Sequence, residues 1–148
     1  MNPAQLGKRS RTKGASFERL IANMLTEATG TPWARRVRQR QRDSDIVCET
    51  RSYGVALECK HANTLALSAW WAQTRAQAEI AGQKPMLVYR QTGSKFIYVM
   101  LDGHDVNDGT WPEPDVYPVI LGWDAAMQWL RQQVPLDEHA WDVEKEAA

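Results

Sequence analysis

The stretch Val55 to Lys60 (VALECK) constrains this chain more than any other. Successive side chains of a strand point to opposite faces, so Val55, Leu57 and Cys59 line one face while Glu58 and Lys60 line the other. The apolar set packs into a core, and the opposite face carries an acid beside a base. Asp45 stands thirteen residues before Glu58, at the start of DIVCET (Asp45 to Thr50), a second strand-like stretch. The turn Ser52-Tyr53-Gly54 joins the two, and a hairpin across it brings Asp45 beside Glu58. Two carboxylates held close repel unless a cation sits between them. Oxygen donors of this type suit Mg2+ or Mn2+. A lysine next to such a cation orients or activates water, or steadies an anionic transition state. The same Glu-x-Lys pair is also common on plainly solvated strands.

The flanking elements follow from periodicity. Phe17, Leu20, Ile21, Met24 and Leu25 recur at helical spacing, which predicts a helix near residues 14–29 stopped by Gly30. Trp33 to Arg40 reads as a strand that leads toward Asp45, and Asp43 and Ser44 read as a turn. Residues 66–82 are rich in Ala and end in Gly82, a second helix with Ser68 as a possible cap. MLVYR after Pro85 and residues 95–101 read as further strands, and residues 123–134 as a short helix. The short gaps between the first three strands favour antiparallel neighbours. Residues 1–13 are expected to be a basic mobile arm, residues 14–101 the core, and 102–148 a long loop, the short helix and an acidic tail. The expectation is one domain over 1–148, with an α-β-β-β-α-β mixed sheet flanked by helices.

Composition sharpens this. The chain has 148 residues and is 43% apolar, which excludes wholesale disorder. No apolar run approaches the roughly 18–20 residues of a membrane span, and the first residues lack the apolar stretch of a signal peptide, so the expected place is the cytoplasm. Net charge is zero, yet residues 1–60 hold 12 Lys+Arg against 6 Asp+Glu and the remainder holds 6 against 12. Arg35, Arg36, Arg38, Arg40 and Arg42 fall within eight residues that contain no acid. Arg36, Arg38, Arg40 and Arg42 share a strand face, with Arg35 on the other. Arginines so arranged supply phosphate contacts without reading sequence, and Lys13 extends the basic surface. Cys48 and Cys59 set no disulfide framework and read as small core residues; with no partner set, Cys59 and His61 do not read as a zinc site.

At these residues the sequence resembles the PD-(D/E)XK nuclease superfamily. Its motif is an acid opening one strand and Glu-x-Lys in the next. SDIV (residues 44–47) stands where the family often has Pro-Asp-Ile or Pro-Asp-Val, with Ser44 replacing the proline, and ECK (58–60) matches without change. Within the superfamily, KGASFERL (13–20) is similar to the opening element of the Holliday-junction resolvases of archaea and phages. That resemblance implies that Glu18 is a third metal-site carboxylate and that Gln73, or Gln77 one turn on, is the polar residue of the following helix. It implies a catalytic set of Glu18, Asp45, Glu58, Lys60 and Gln73, with Mg2+ (replaceable by Mn2+) held by Glu18, Asp45, Glu58 and the carbonyl of Cys59. It further implies a homodimer acting on branched or duplex DNA in the host cytoplasm. Alternatives are a restriction-like, flap or repair nuclease of the same superfamily, or a non-catalytic DNA-binding protein on the same fold. Trp70 and Trp71 read either as base-stacking residues or as core or dimer-interface residues.

Overall fold

The computed structural model describes residues 3–36 and 44–133, with side chains from Lys13 onward. Helix α1 (Pro3–Thr29) is followed by β1 (Trp33–Arg35), β2 (Ile46–Cys48) and β3 (Val55–Ala62). Then come α2 (Leu67–Ala81), β4 (Lys84–Gln91), β5 (Tyr98–Asp102), the single turn α3 (Gly103–Val106), β6 (Pro118–Gly122) and α4 (Trp123–Arg131). The α-β-β-β-α-β order expected from the sequence is present, in a mixed sheet flanked by helices compatible with a restriction-endonuclease-like core.

Helix α1 begins at Pro3, well before the start expected near Gly14. Residues 4–13 contain no proline, Gly7 is carried inside the helix, and Pro3 is well suited to the first helical turn because its missing N–H would be unpaired there anyway. The helix ends as expected. Gly30 takes φ +71 and its N–H closes onto the carbonyl of Thr26 at 3.0 Å. Phe17, Ile21 and Leu25 are buried; Leu20, expected on the same stripe, lies at its rim and is exposed.

The sheet order is β3-β4-β5-β6. Strands β3 and β4 are parallel, joined through α2, and β4-β5 and β5-β6 are antiparallel. Met86, Leu87 and Val88 of β4 are wholly buried, as a strand covered on both faces must be. The first face carries Val55, Leu57, Cys59, Val88, Val99 and Leu101, packed with α1, Trp33, Ile46 and α4. The second carries Leu87, Tyr89 and Met100 under Trp71 of α2, with Trp70 at the margin. Trp71 is therefore a core residue, and so are Cys48 and Cys59, both free thiols.

Three expectations need correction. Strands β1 and β2 form their own antiparallel pair (Trp33↔Cys48, Arg35↔Ile46) instead of joining the main ladder. Helix α2 is capped by backbone at Ala66 with no side-chain bond, so Ser68 is not its cap. Within the expected loop of residues 102–122, Pro118–Gly122 form an edge strand. Its Pro, Gly and alternating exposure obscured it; a proline at the first position of an edge strand removes no ladder bond that is needed. The arginine strand beyond Arg36, Asp43 and the acidic tail lie outside the described residues.

Candidate active site

The outer edge of β3 has no ladder partner in the main sheet, and the segment entering β2 covers it. The backbone N–H of Asp45 donates to the carbonyl of Leu57 at 3.0 Å, and the N–H of Leu57 donates to Ser44 Oγ at 3.2 Å. One step along, the N–H of Cys59 donates to Asp45 Oδ2 at 2.9 Å. Side chains thus replace ladder bonds at the point where the Glu-x-Lys motif sits. The proline of the family pattern could not accept as Ser44 does, so the serine is a working substitution.

Glu58 lies on the α2 side of β3 and is 4% exposed, and Asp45 is 8% exposed. Burial, the charge of Asp45 and a hydrogen bond with the Asp45 carboxyl together push the Glu58 pKa up to about 8. Lys60 and the side chain of Gln77, which donates a hydrogen bond to Glu58, pull in the other direction. At neutral pH Glu58 therefore favours its protonated form. Glu18 reaches the same place from α1. Its pKa is raised by burial, against the bond from Arg35, with the charge of Asp45 adding to the rise. Cys59 is fully enclosed, and burial, then Asp45, Glu18 and Glu58 in turn, drive its thiol well up. The charges of three carboxylates thus act on Cys59, and one of them, Asp45, bonds its backbone N–H.

The placement of each expected residue can now be stated. Asp45 acts on Glu18 from one side and on Glu58 from the other, with Lys60 acting on Glu58. Of the two helix glutamines, Gln77 donates to Glu58, while Gln73, one turn earlier on the same side of α2, is exposed. Arg35, read as a DNA contact, instead donates from Nε to Glu18 Oε2 at 2.5 Å. The β1-β2 pairing turns it toward α1. Arg36 is exposed, and its N–H donates to the carbonyl of Asp45 at 3.0 Å. Lys13 donates to Asn63 Oδ1 at 3.3 Å and to Thr92 Oγ1. Arg38, Arg40 and Arg42 lie outside the described residues. His61 packs its ring on Phe17, away from the acids, as the strand alternation predicts.

Among the described residues no three His, Cys, Asp or Glu side chains already converge as a metal cage, and Glu18 is engaged by Arg35. The donor chemistry nonetheless fits a hard divalent ion. Two buried carboxylates side by side repel when both are ionised, and a bound cation would relieve that repulsion. The carbonyl of Cys59 and the carboxylate of Glu18 supply further oxygen donors.

No curated protein and no solved structure matches this sequence. Residues 9–113 match the family described as "Phage putative PDDEXK endonuclease". The match spans Glu18, Asp45, Glu58 and Lys60, and nucleases of the PD-(D/E)XK type generally use divalent metals. The chain belongs to this family of phage PD-(D/E)XK endonucleases.

Proposed function

We propose that the chain is a divalent-metal-dependent, structure-specific DNA endonuclease of the Holliday-junction resolvase type, which hydrolyses phosphodiester bonds in branched DNA as a homodimer in the host cytoplasm. Mg2+ is its ion, and Mn2+ substitutes. The observation that carries this reading is the buried Asp45–Glu58 pair on the edge of β3, with Asp45 bonded to the backbone of Cys59 and Lys60 acting on Glu58.

Asp45, Glu58 and the carbonyl of Cys59 would hold the ion, with Glu18 as a further carboxylate if released from Arg35. When bound, the ion polarises the scissile phosphate and lowers the pKa of the attacking water. Lys60 orients that water and offsets the charge that builds on the phosphate. Gln77 fixes the Glu58 carboxylate through its amide. Arg36 and the arginines that follow it in sequence bind backbone phosphates, supplying affinity without sequence preference.

The test is nicking of supercoiled plasmid and of synthetic four-way junctions, with and without Mg2+. Metal-dependent cutting concentrated at the junction branch supports the reading. Cutting of linear duplex at one sequence, or at flaps only, replaces the substrate assignment. Metal-independent or absent cutting overturns the enzyme reading.

A further inference from the structure

The carboxyl-terminal ends of the parallel strands β3 and β4 carry a second cluster that the hydrolytic site does not use. His61 of β3 and Arg90 of β4 are register partners. Both lie against the ring of Phe17: the His61 ring centroid is 5.1 Å away, and the Arg90 guanidinium carbon sits 5.2 Å above it. Phe17 is only 2% exposed, so it is a fixed platform for both. Lys13, one turn earlier on α1, reaches the same strand ends through Asn63 and Thr92. The charges of Arg90 and Lys13 both act on His61. Arg90 Nε is buried and no acceptor among the described residues engages it, so packing on Phe17 and not a hydrogen bond from Nε positions the guanidinium.

The position matters as much as the charge. Phe17 precedes Glu18, and His61 follows Lys60, so the chain itself sets this cluster next to the acids. Along a strand, three residues from Glu58 to His61 span roughly 10 Å. A polynucleotide whose reacting phosphate lies at Asp45 and Glu58 must carry neighbouring phosphates within that range.

We propose that Arg90, Lys13 and His61 form a phosphate-binding subsite that holds a backbone phosphate of the DNA strand beside the one being cut. The subsite rests on the nuclease reading above. It anchors the strand from the α1 side of the sheet, while the Glu-x-Lys residues act from the α2 side. The guanidinium of Arg90, stiffened by its packing on Phe17, supplies the directional contact, and Lys13 and His61 supply charge and a further donor.

The test uses the full chain in EDTA and measures binding of a duplex by fluorescence anisotropy. One methylphosphonate, which is uncharged, is placed in turn at each phosphate around the cleavage position mapped with Mg2+. The wild-type chain is expected to lose about tenfold in affinity when one phosphate beside the cut is neutralised. Arg90→Gln is expected to lose about as much on unmodified DNA and nothing further on DNA neutralised at that phosphate. Its log–log salt slope should be shallower by about 0.9. Arg90→Lys should recover part of the affinity. Lys13→Gln, which removes only the helix-surface contacts to Asn63 and Thr92, repeats the comparison if Arg90→Gln does not fold. Wild-type affinity and slope in both Gln variants, or losses that leave the methylphosphonate pattern unchanged, overturn the subsite alone. A wild-type chain that neither binds nor cuts DNA overturns the nuclease reading, and the subsite falls with it.

Discussion

Asp45 Oδ2 accepts the backbone N–H of Cys59 at 2.9 Å, which locks the acid of one strand onto the residue between the two charged residues of the next. The hydrogen bond replaces a ladder bond on the free edge of β3, so the feature that completes the sheet edge also builds the site. Asp45 has little freedom to move away from Glu58, and the two acids are held in repulsion by the fold itself. That enforced proximity underlies the first two predictions.

Glu58→Gln is expected to reduce Mg2+-dependent cleavage by on the order of 10³-fold, with Lys60→Ala close behind. Both should bind DNA within about threefold of wild type, because phosphate affinity comes mainly from the arginines and Lys13. Single-turnover cleavage and anisotropy on the same DNA separate the two effects. Wild-type cleavage by either variant removes that residue from the site.

The pH dependence follows from the Glu58 pKa, raised from an ordinary 4.5 to about 8. In the metal-free protein, the folded state holds a proton that the unfolded state gives up. The resulting stability is fully present below pH 4.5 and is lost as pH rises toward 8. Glu58→Gln should abolish this decline and melt above wild type at pH 8.5, by on the order of 2 kcal/mol. Metal binding must displace the same proton. Mg2+ affinity should therefore rise by up to about tenfold per pH unit until pH 8 and then level off. Thermal melts with and without Mg2+ across pH 6–9 measure both trends. A Mg2+ affinity independent of pH over that range would show that Glu58 carries no such proton.

Much of this was legible in the sequence because it depends on local periodicity. The alternation in VALECK set the faces of Glu58 and Lys60, and the stripe through Phe17, Ile21 and Leu25 put Glu18 on the helix that covers that strand. What was not legible depends on contacts between distant residues. The Glu18–Arg35 pair requires β1 to pack on α1, and the sequence spacing says nothing of that. The bond from Leu57 to Ser44 exists only because the β3 edge lacks a ladder partner there. Strand β6 was hidden because only Val119, Ile120 and Leu121 stand between Pro118 and Gly122, and its identity comes from pairing with β5.

The helix glutamine offers a narrower test, since Gln73 and Gln77 are the same residue type one turn apart. Gln77 donates to Glu58, and Gln73 is exposed. Gln77→Ala should lower kcat by about 10- to 100-fold with a small change in KM, because it frees the Glu58 carboxylate to turn. Gln73→Ala should stay within about twofold. Equal effects at both positions would show that α2 does not fix Glu58 through Gln77.

Substrate choice is the last prediction. A recombination intermediate is marked by its branched shape, since any sequence can occupy it, and recognition of shape calls for two spaced sites and broad basic surfaces. The chain contributes basic residues on α1 and after β1, and it has exposed apolar side chains at Tyr98, Tyr117 and Ile120 beside the free edge of β6. Trp71, which could have served a dimer interface, is occupied in the core under α2. A dimer must therefore use another surface. The expected result is a dimer by sedimentation that binds a four-way junction at least about tenfold more tightly than linear duplex of the same sequence, a preference of about 1.4 kcal/mol. The preference should survive a change of arm sequence, because phosphate contacts carry no sequence information. A monomer that binds both substrates equally, or a dimer that cuts linear duplex at a fixed sequence, would transfer the chain to the restriction-like class. The chemistry of Asp45, Glu58 and Lys60 would stand in either case, because the strand geometry that creates it is independent of the shape of the DNA that enters.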